Sequence, residues 1–393
     1  MAYLWVLSLL ALPLSQLPNR VILGLLLVWV IARSGSRTLQ IPYFKWVTGL
    51  ALVLVALGAM ANQELSKEFM LLLSLPAQAL FLIFARPGSA NFKRGFHAAI
   101  LTALMVLIVM KVSSVALQGF DSYFAQEQWW NQWHYENFTQ SLSLHPTYLS
   151  LFLLTGLVML LFGSEGPSLR NGMNGRDLAL FVAYLFGLWL SSSKIALLTL
   201  GLILILFWVH KLIRSSKRQS IAYGVLIALT LLAPCTSPSV RHRMTHGLNT
   251  AMQSLPAERP NRFTERRALW KSALIEIDRH PLLGTSFRGI SSREAIYPKA
   301  KFLYPPLEKP MNAHNNFIEF GLRYGILFGI LLILSAIFGI YTAVRRRSLE
   351  LLGFTVVFFM VSMTESFLFR EQGLSLAALI FLFYYLFEDE GNI

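Results

Sequence analysis

Hydrophobic and polar positions alternate in long blocks along this chain. Apolar blocks of about twenty residues, the length at which a helix crosses a lipid bilayer, recur along most of the sequence. They predict an all-α integral membrane protein with about twelve transmembrane helices. The predicted spans are 1–16, 18–33, 43–61, 68–85, 96–117, 145–163, 177–191, 194–211, 219–236, 317–343, 350–366 and 372–388.

One long polar stretch interrupts this pattern and divides the chain into three predicted domains. Residues 1–236 contain spans one to nine, 237–316 form a large polar loop, and 317–393 contain the last three spans and a tail. Within the loop, an amphipathic helix is predicted over 264–279, with Thr264 as its N-cap. Its apolar stripe comprises Phe263, Trp270, Ala273, Leu274 and Ile277, and the sequence His280-Pro281 followed by Gly284 ends it.

Composition and charge agree with a membrane protein. Charged residues make up 14% of the chain, whereas about 25% is usual in soluble proteins. The net charge of +14 lies largely in one alternate set of short loops, which basic residues retain in the cytoplasm. The charge therefore does not require a nucleic-acid partner, and both termini are predicted to be cytoplasmic. Cys235, the one cysteine, excludes an internal disulfide and a cysteine metal cluster.

Three polar features fall on the opposite, outer side. They are an acidic aromatic loop at about 118–144, the break at 191–194, and the large loop. The first loop contains Trp129, Trp130 and Trp133, which fit either sugar stacking or an interfacial aromatic belt. The large loop is basic, which fits a solvated or lipid-headgroup face or an anionic substrate such as a pyrophosphate.

His314 is the first candidate for chemistry. It precedes the tenth span, where helix N–H groups and the helix dipole favour a neutral imidazole that can act as a general base. A capping or interfacial histidine is the structural alternative. Asn312, Asn315 and Asn316 each fit the role of helix cap.

Further polar residues stand at span ends on the outer side. Lys194 opens the eighth span, and either snorkels to the interface or lines a substrate cavity. His145 precedes Pro146 at the start of the sixth span, and either marks the interface or lines the same cavity. Glu365 and Arg370 are interpreted as a structural ion pair near the last two spans.

Several common catalytic motifs do not occur in the sequence. It has no Walker A loop, G-x-G-x-x-G, H-E-x-x-H, D-x-D or paired-cysteine motif. These absences favour a metal-independent reaction, without a cofactor, on a substrate that is already activated. A transporter or flippase would favour internal repeats and mid-membrane charges, and neither is evident. A non-catalytic membrane scaffold remains as an alternative.

Three segments between 266 and 329 combine motifs in a fixed order. They are an arginine four residues before an aromatic, a Pro-Leu-Leu-Gly turn, and an H-N-x-hydrophobic-hydrophobic-E run before a glycine-rich span. The segments are Arg266-Arg267-Ala268-Leu269-Trp270, His280-Pro281-Leu282-Leu283-Gly284, and His314-Asn315-Asn316-Phe317-Ile318-Glu319 with Gly325 to Gly329. In this order and spacing they resemble the O-antigen ligase and Wzy-type polymerase superfamily.

This resemblance implies a GT-C type fold in the bacterial inner membrane, with an active site on the periplasmic face. The implied donor is an undecaprenyl-pyrophosphate-linked glycan, transferred with inversion. Arg266 matches an arginine that binds the donor pyrophosphate, and His314 matches the histidine that activates the acceptor hydroxyl. Lys194 stands where the family often has arginine, so the charge is kept but the bidentate fork is lost. Arg262, Asn315 and His145 are expected to contribute to substrate binding.

The motifs leave two acceptors open. A ligase transfers the glycan to a hydroxyl of lipid A–core, whereas a polymerase transfers it to another lipid-linked repeat. Both reactions need the same donor site, and the ligase is favoured here. Membrane lipids are the remaining expected partners.

Overall fold

The computed structural model describes residues 60–72, 89–126, 133–140, 144–163, 174–214, 216–236 and 262–387, together with Val53 and Leu75. Every regular element in these ranges is helical, and they contain no strand, in agreement with the predicted all-α class. The α-helices are α1 Gln63–Leu72, α2 Ser89–Gln118, α3 Phe120–Phe124, α4 Glu136–Thr139, α5 Pro146–Phe162, α6 Gly175–Ser191, α7 Lys194–Arg214, α8 Lys217–Thr236, α9 Arg262–Arg279, α10 Ser292–Leu303, α11 Asn316–Tyr324, α12 Ile326–Arg345, α13 Leu349–Ser362 and α14 Glu371–Phe387.

Three helices in the described part are long and apolar enough to cross a membrane. They contain the segments Ala90–Gln118, Lys194–Ile213 and Ile326–Arg345. Shorter apolar helices occupy Pro146–Phe162, Ser220–Thr230, Leu349–Ser362 and Glu371–Tyr384. The first four predicted spans lie mainly outside the described residues, so the total of twelve stays a prediction.

Two compact units divide the chain, and the first comprises 1–22, 87–245 and 343–360. Its described centre is α5, which is buried from Pro146 to Leu161 and packs against α2, α6 and α7. Close packing depends on small residues, because a Cβ on Gly156 would lie 2.8 Å from the Tyr184 ring. An apolar helix enclosed on all sides in this way forms the core of a bundle.

The second unit comprises 23–86, 246–342 and 361–393. Helices α9, α10 and α11 share a small hydrophobic core whose buried members include Leu269, Ala273, Ile277, Ile296, Ala300 and Leu322. This packing explains why α9 forms outside any membrane span: its apolar stripe is buried against two neighbouring helices.

The predicted loop helix is confirmed, with two differences. It begins at Arg262, so Thr264 lies within its first turn and is not the N-cap. The buried face is also rotated from the predicted stripe, because Leu274 is 56% exposed while Ser272 and Glu276 are buried. Glu276 can be accommodated there because it forms an ion pair with Lys299 of α10.

The predicted tenth span, 317–343, is two helices, α11 and α12, separated by Gly325. This glycine has φ +102°, and a Cβ on it would lie 2.2 Å from the carbonyl oxygen of Leu282. The amide of Ile326, which opens α12, donates to the carbonyl of Pro281 at 2.8 Å. The Pro-Leu-Leu-Gly turn is therefore docked against the break between the helices, and only glycine fits the approach.

Candidate active site

The turn that carries His314 is fixed through its preceding residue, Ala313. The indole N–H of Trp270 donates to the Ala313 carbonyl at 2.8 Å, and the Ala313 amide donates to Glu319 Oε2 at 2.9 Å. Trp270 belongs to α9 and Glu319 to α11. Trp270 and Glu319, both part of the sequence motifs, therefore fix the backbone of Ala313 from two different helices.

His314 itself has a backbone φ of +48°, in the left-handed region that few non-glycine residues adopt. Its amide donates to Asn312 Oδ1 at 3.2 Å. The next residue, Asn315, is the N-cap of α11, and its Oδ1 accepts from the Ile318 amide at 3.1 Å. Of the three asparagines that fit the cap in sequence, Asn315 takes it, while Asn312 closes the turn before it.

The last residue of α13 and the segment that follows it are bound to this turn by four hydrogen bonds. The Asn315 amide donates to Ser366 Oγ at 3.1 Å, and its side-chain amide donates to the Met363 carbonyl at 3.1 Å. Asn316 is fully buried, donates to Ser362 Oγ at 3.0 Å and accepts from the Leu368 amide at 3.2 Å. These bonds fix residues 362–368 against residues 315–316.

These four hydrogen bonds place Glu365 between Arg266 and His314. Its Oε1 accepts from Arg266 Nη2 at 3.2 Å, and its Oε2 lies 3.1 Å from His314 Nδ1. The Glu365 side chain is 7% exposed, whereas those of Arg266 and His314 are 33% and 26% exposed. One nearly buried carboxylate thus joins a cation and an imidazole that a ligand can still reach.

A buried ionic network supports the turn from the other side. Arg323 donates to Glu319 Oε1 at 2.7 Å and to Glu68 Oε1 at 2.6 Å. Burial lowers the pKa of Arg323, but the adjacent Glu319 and Glu68 carboxylates outweigh it and the net shift is upward. Glu68 also accepts from Ser286, and Ser292 donates to Glu319. Arg323 therefore stays charged and fixes the carboxylate that holds Ala313.

Lys194 and His145 belong to the first unit. Lys194 opens α7 and is exposed. Helix α6 ends at Ser191, and the backbone of its C-cap, Ser192, is left-handed with φ +45°. His145 is the N-cap of α5 and accepts from the Thr147 amide at 3.3 Å. His134 is buried beside them, with Nδ1 3.2 Å from Ser192 Oγ and its ring at the edge of Trp189. The break at 191–194 and the proline start of α5 are as predicted.

The structure thus assembles some of the predicted residues and leaves others untested. Arg266, His314 and Asn315 lie together in the second unit, while the joint placement of Lys194 and His145 with them stays a prediction. Arg262 opens α9, but its side chain lies outside the described residues, as do Trp129 and Trp130. Among the residues the structure describes, no three His, Cys, Asp or Glu side chains cluster as metal ligands would.

Sequence reasoning missed the position of Glu365. The structure shows this carboxylate bonded to Arg266 and His314, so the interpretation as a plain structural pair with Arg370 was too narrow. Its one sequence signal was an acidic residue at the end of an apolar helix, where an ionised side chain is costly unless a partner offsets it.

Comparison with known proteins agrees with the resemblance in the motifs. Residues 179–334 match the family model described as O-antigen ligase. No curated protein matches the chain. The matched range includes Lys194, Arg266 and His314, while Glu365 lies beyond it. The resemblance to the O-antigen ligase family predicted from the sequence is confirmed over residues 179–334, and three of the described helices have the length and apolar composition of membrane-spanning helices.

Proposed function

We propose that this chain, a member of the O-antigen ligase superfamily by the match over residues 179–334, transfers a glycan from a lipid pyrophosphate to a sugar hydroxyl. The observation that carries the proposal is the grouping of Arg266, Glu365 and His314 in one unit. It provides a cation for an anionic leaving group and an imidazole for a hydroxyl proton. Both are partly exposed.

Arg266 would bind the donor pyrophosphate. A guanidinium matches phosphate oxygens with paired N–H groups, and its charge stabilises the negative charge that grows on the leaving phosphate. The donor we propose is an undecaprenyl-pyrophosphate-linked glycan, presented at the periplasmic face of the inner membrane. The energy of transfer would come from the phosphate ester, so neither ATP, a metal nor a cofactor is required.

His314 would act as the general base on the acceptor. The acceptor hydroxyl loses its proton to the imidazole while its oxygen attacks the anomeric carbon. The bond from that carbon to the lipid pyrophosphate breaks, and its electron pair leaves on the phosphate. A single displacement of this kind inverts the anomeric configuration. Base catalysis by a positioned side chain contributes about 10²- to 10⁴-fold to a rate.

The test is transfer by the purified chain in detergent or nanodiscs, with a defined lipid-linked glycan and candidate acceptors. His314→Ala should abolish transfer while expression and melting temperature stay near wild type. His280→Ala is the matched control, because it removes the same side chain at a residue outside the group of Arg266, Glu365 and His314. The His280 ring contacts Arg288. Unchanged transfer by His314→Ala would refute the base assignment.

The identity of the acceptor separates the proposed ligase from a polymerase. A ligase joins the glycan to lipid A–core, and the description of the matched family supports this reaction. Product analysis with lipid A–core and with a second lipid-linked repeat, offered in separate reactions, distinguishes the two. We assign Lys194 a role in donor binding, so Lys194→Ala should raise the donor KM more than it lowers kcat.

A further inference from the structure

We propose that Glu365 is a positioning residue that couples donor binding to the activation of His314, an inference that rests on the proposed function. Its two carboxylate oxygens serve different partners. Oε1 accepts from Arg266 Nη2 at 3.2 Å, while Oε2 faces His314 Nδ1 at 3.1 Å. A change in the contact with Arg266 therefore alters how strongly the Glu365 carboxylate interacts with His314.

The contact with His314 selects one tautomer. An ionised carboxylate can only accept, so Nδ1 of His314 must carry the proton that it donates to Glu365. The lone pair is then on Nε2, which becomes the nitrogen that takes the proton of the acceptor hydroxyl. Once Nε2 is protonated, the positive imidazolium lies beside the Glu365 carboxylate and is stabilised by it.

Glu365 is held firmly enough to impose this orientation. Ser366, the next residue, is fully buried and accepts the Asn315 amide, and the Met363 carbonyl accepts the Asn315 side chain. Bonds on both sides of Glu365 thus tie it to the residue that follows His314. The carboxylate and the imidazole are fixed through the backbone as well as through their own contact.

The contact with Arg266 makes Glu365 sensitive to the donor. A pyrophosphate offers more negative charge and more acceptor oxygens than one carboxylate, so it competes with Glu365 for the guanidinium. Once Arg266 bonds to the pyrophosphate, the Glu365 carboxylate interacts mainly with His314. Donor binding would then strengthen the base at the moment when the acceptor must lose its proton.

The kinetic test uses Glu365→Gln, which keeps the size of the side chain but can donate as well as accept. We expect kcat to fall about 100-fold, because the amide permits the wrong tautomer, with donor KM within threefold of wild type. Glu365→Asp keeps the charge and should recover at least tenfold of that loss. Glu308→Gln, the same change at an exposed position of the same unit, should behave as wild type.

A binding test needs no turnover. Undecaprenyl pyrophosphate alone is titrated into wild type, Glu365→Gln and Arg266→Ala, and binding is followed by the shift in melting temperature. Glu365→Gln should bind at least as tightly as wild type, since the competing carboxylate has been removed. Arg266→Ala should bind at least tenfold more weakly.

Three outcomes would overturn the proposal. One is a Glu365→Gln kcat within threefold of wild type. Another is an equal loss in the Gln and Asp variants together with a lowered melting temperature, since that pattern assigns Glu365 to folding alone. The third is weaker pyrophosphate binding by Glu365→Gln. A wild-type chain that transfers no glycan would refute the proposed function, while the binding test would still decide whether Glu365 competes for Arg266.

Discussion

Helices α11 and α12 come from one apolar run of the sequence but have opposite surroundings. In α11, Asn316 and Glu319 are fully buried and bond to side chains and backbone of other segments. In α12, the exposed residues are large and apolar, as on a helix that faces lipid. They include Ile326, Leu327, Leu331, Leu334, Ile337 and Phe338.

The difference shows what the single residue Gly325 accomplishes. It lets the chain change direction between a nine-residue helix that supports the candidate site and a twenty-residue helix long enough to cross the bilayer. An average of hydrophobicity over about twenty residues cannot detect such a break. Helix α11 therefore supports the candidate site, while α12 has the length and the apolar surface of a helix that crosses a membrane.

The largest effect is expected from Glu319→Ala in α11. This change leaves the Ala313 amide and part of Arg323 buried without their partner, and removing one member of a buried pair costs about 3–5 kcal/mol. Arg323 keeps its contact with Glu68, so we expect a loss of about 3 kcal/mol, from the lower end of that range. Chemical unfolding in detergent measures it, and glycan transfer should fall with it.

Glu308→Ala is the control for that variant, because it removes the same side chain from an exposed position. Its unfolding free energy should stay within about 0.5 kcal/mol of wild type. Equal losses in the two variants would show that the contacts of Glu319 do not stabilise the turn that carries His314.

The sequence predicted the residues whose chemistry is visible locally. His314 stands before a helix start, Asn315 is a cap by type and position, and Arg266 precedes a tryptophan by one helical turn. Arg266 lies on α9 and Asn315 caps α11. Both bounds of α9 and the start of α11 could be predicted within a few residues, because the apolar positions recur at helical spacing.

The partners of these residues could not be predicted in the same way. Glu365 lies 99 positions from Arg266 and 51 from His314, and Glu68 lies 255 positions from Arg323. Such contacts depend on how whole helices pack, and the sequence alone pairs a carboxylate at a span end with the nearest cation. The break at Gly325 was missed for a related reason, because it is imposed by the Leu282 carbonyl from another segment.

Gly325→Ala tests the junction itself and should have a smaller effect. The added Cβ would meet the Leu282 carbonyl oxygen at 2.2 Å, and alanine is disfavoured at φ +102°. We expect a loss of about 2 kcal/mol in unfolding free energy, together with slower transfer as the Pro281–Gly284 turn separates from α12.

Gly175→Ala provides the matched control for the junction. A Cβ at Gly175 meets nothing within 4 Å, and the residue begins helix α6. Alanine there should leave stability unchanged or slightly raised. A Gly325→Ala variant as stable as Gly175→Ala would mean that the chain does not need a break between α11 and α12.

The smallest effect should come from the exposed face of α12, and it separates the two helices most directly. Leu334 is 51% exposed and Leu322 of α11 is fully buried, so the same leucine-to-alanine change can be made on each. Lipid chains are as apolar as leucine, so Leu334→Ala should change unfolding free energy by less than about 0.5 kcal/mol and transfer by less than twofold. Leu322→Ala creates a cavity in a packed core and should cost about 2 kcal/mol, at the lower end of the range for such changes. Equal costs for the two variants would mean that α12 packs against protein and not lipid, and that both helices belong to the framework of the site.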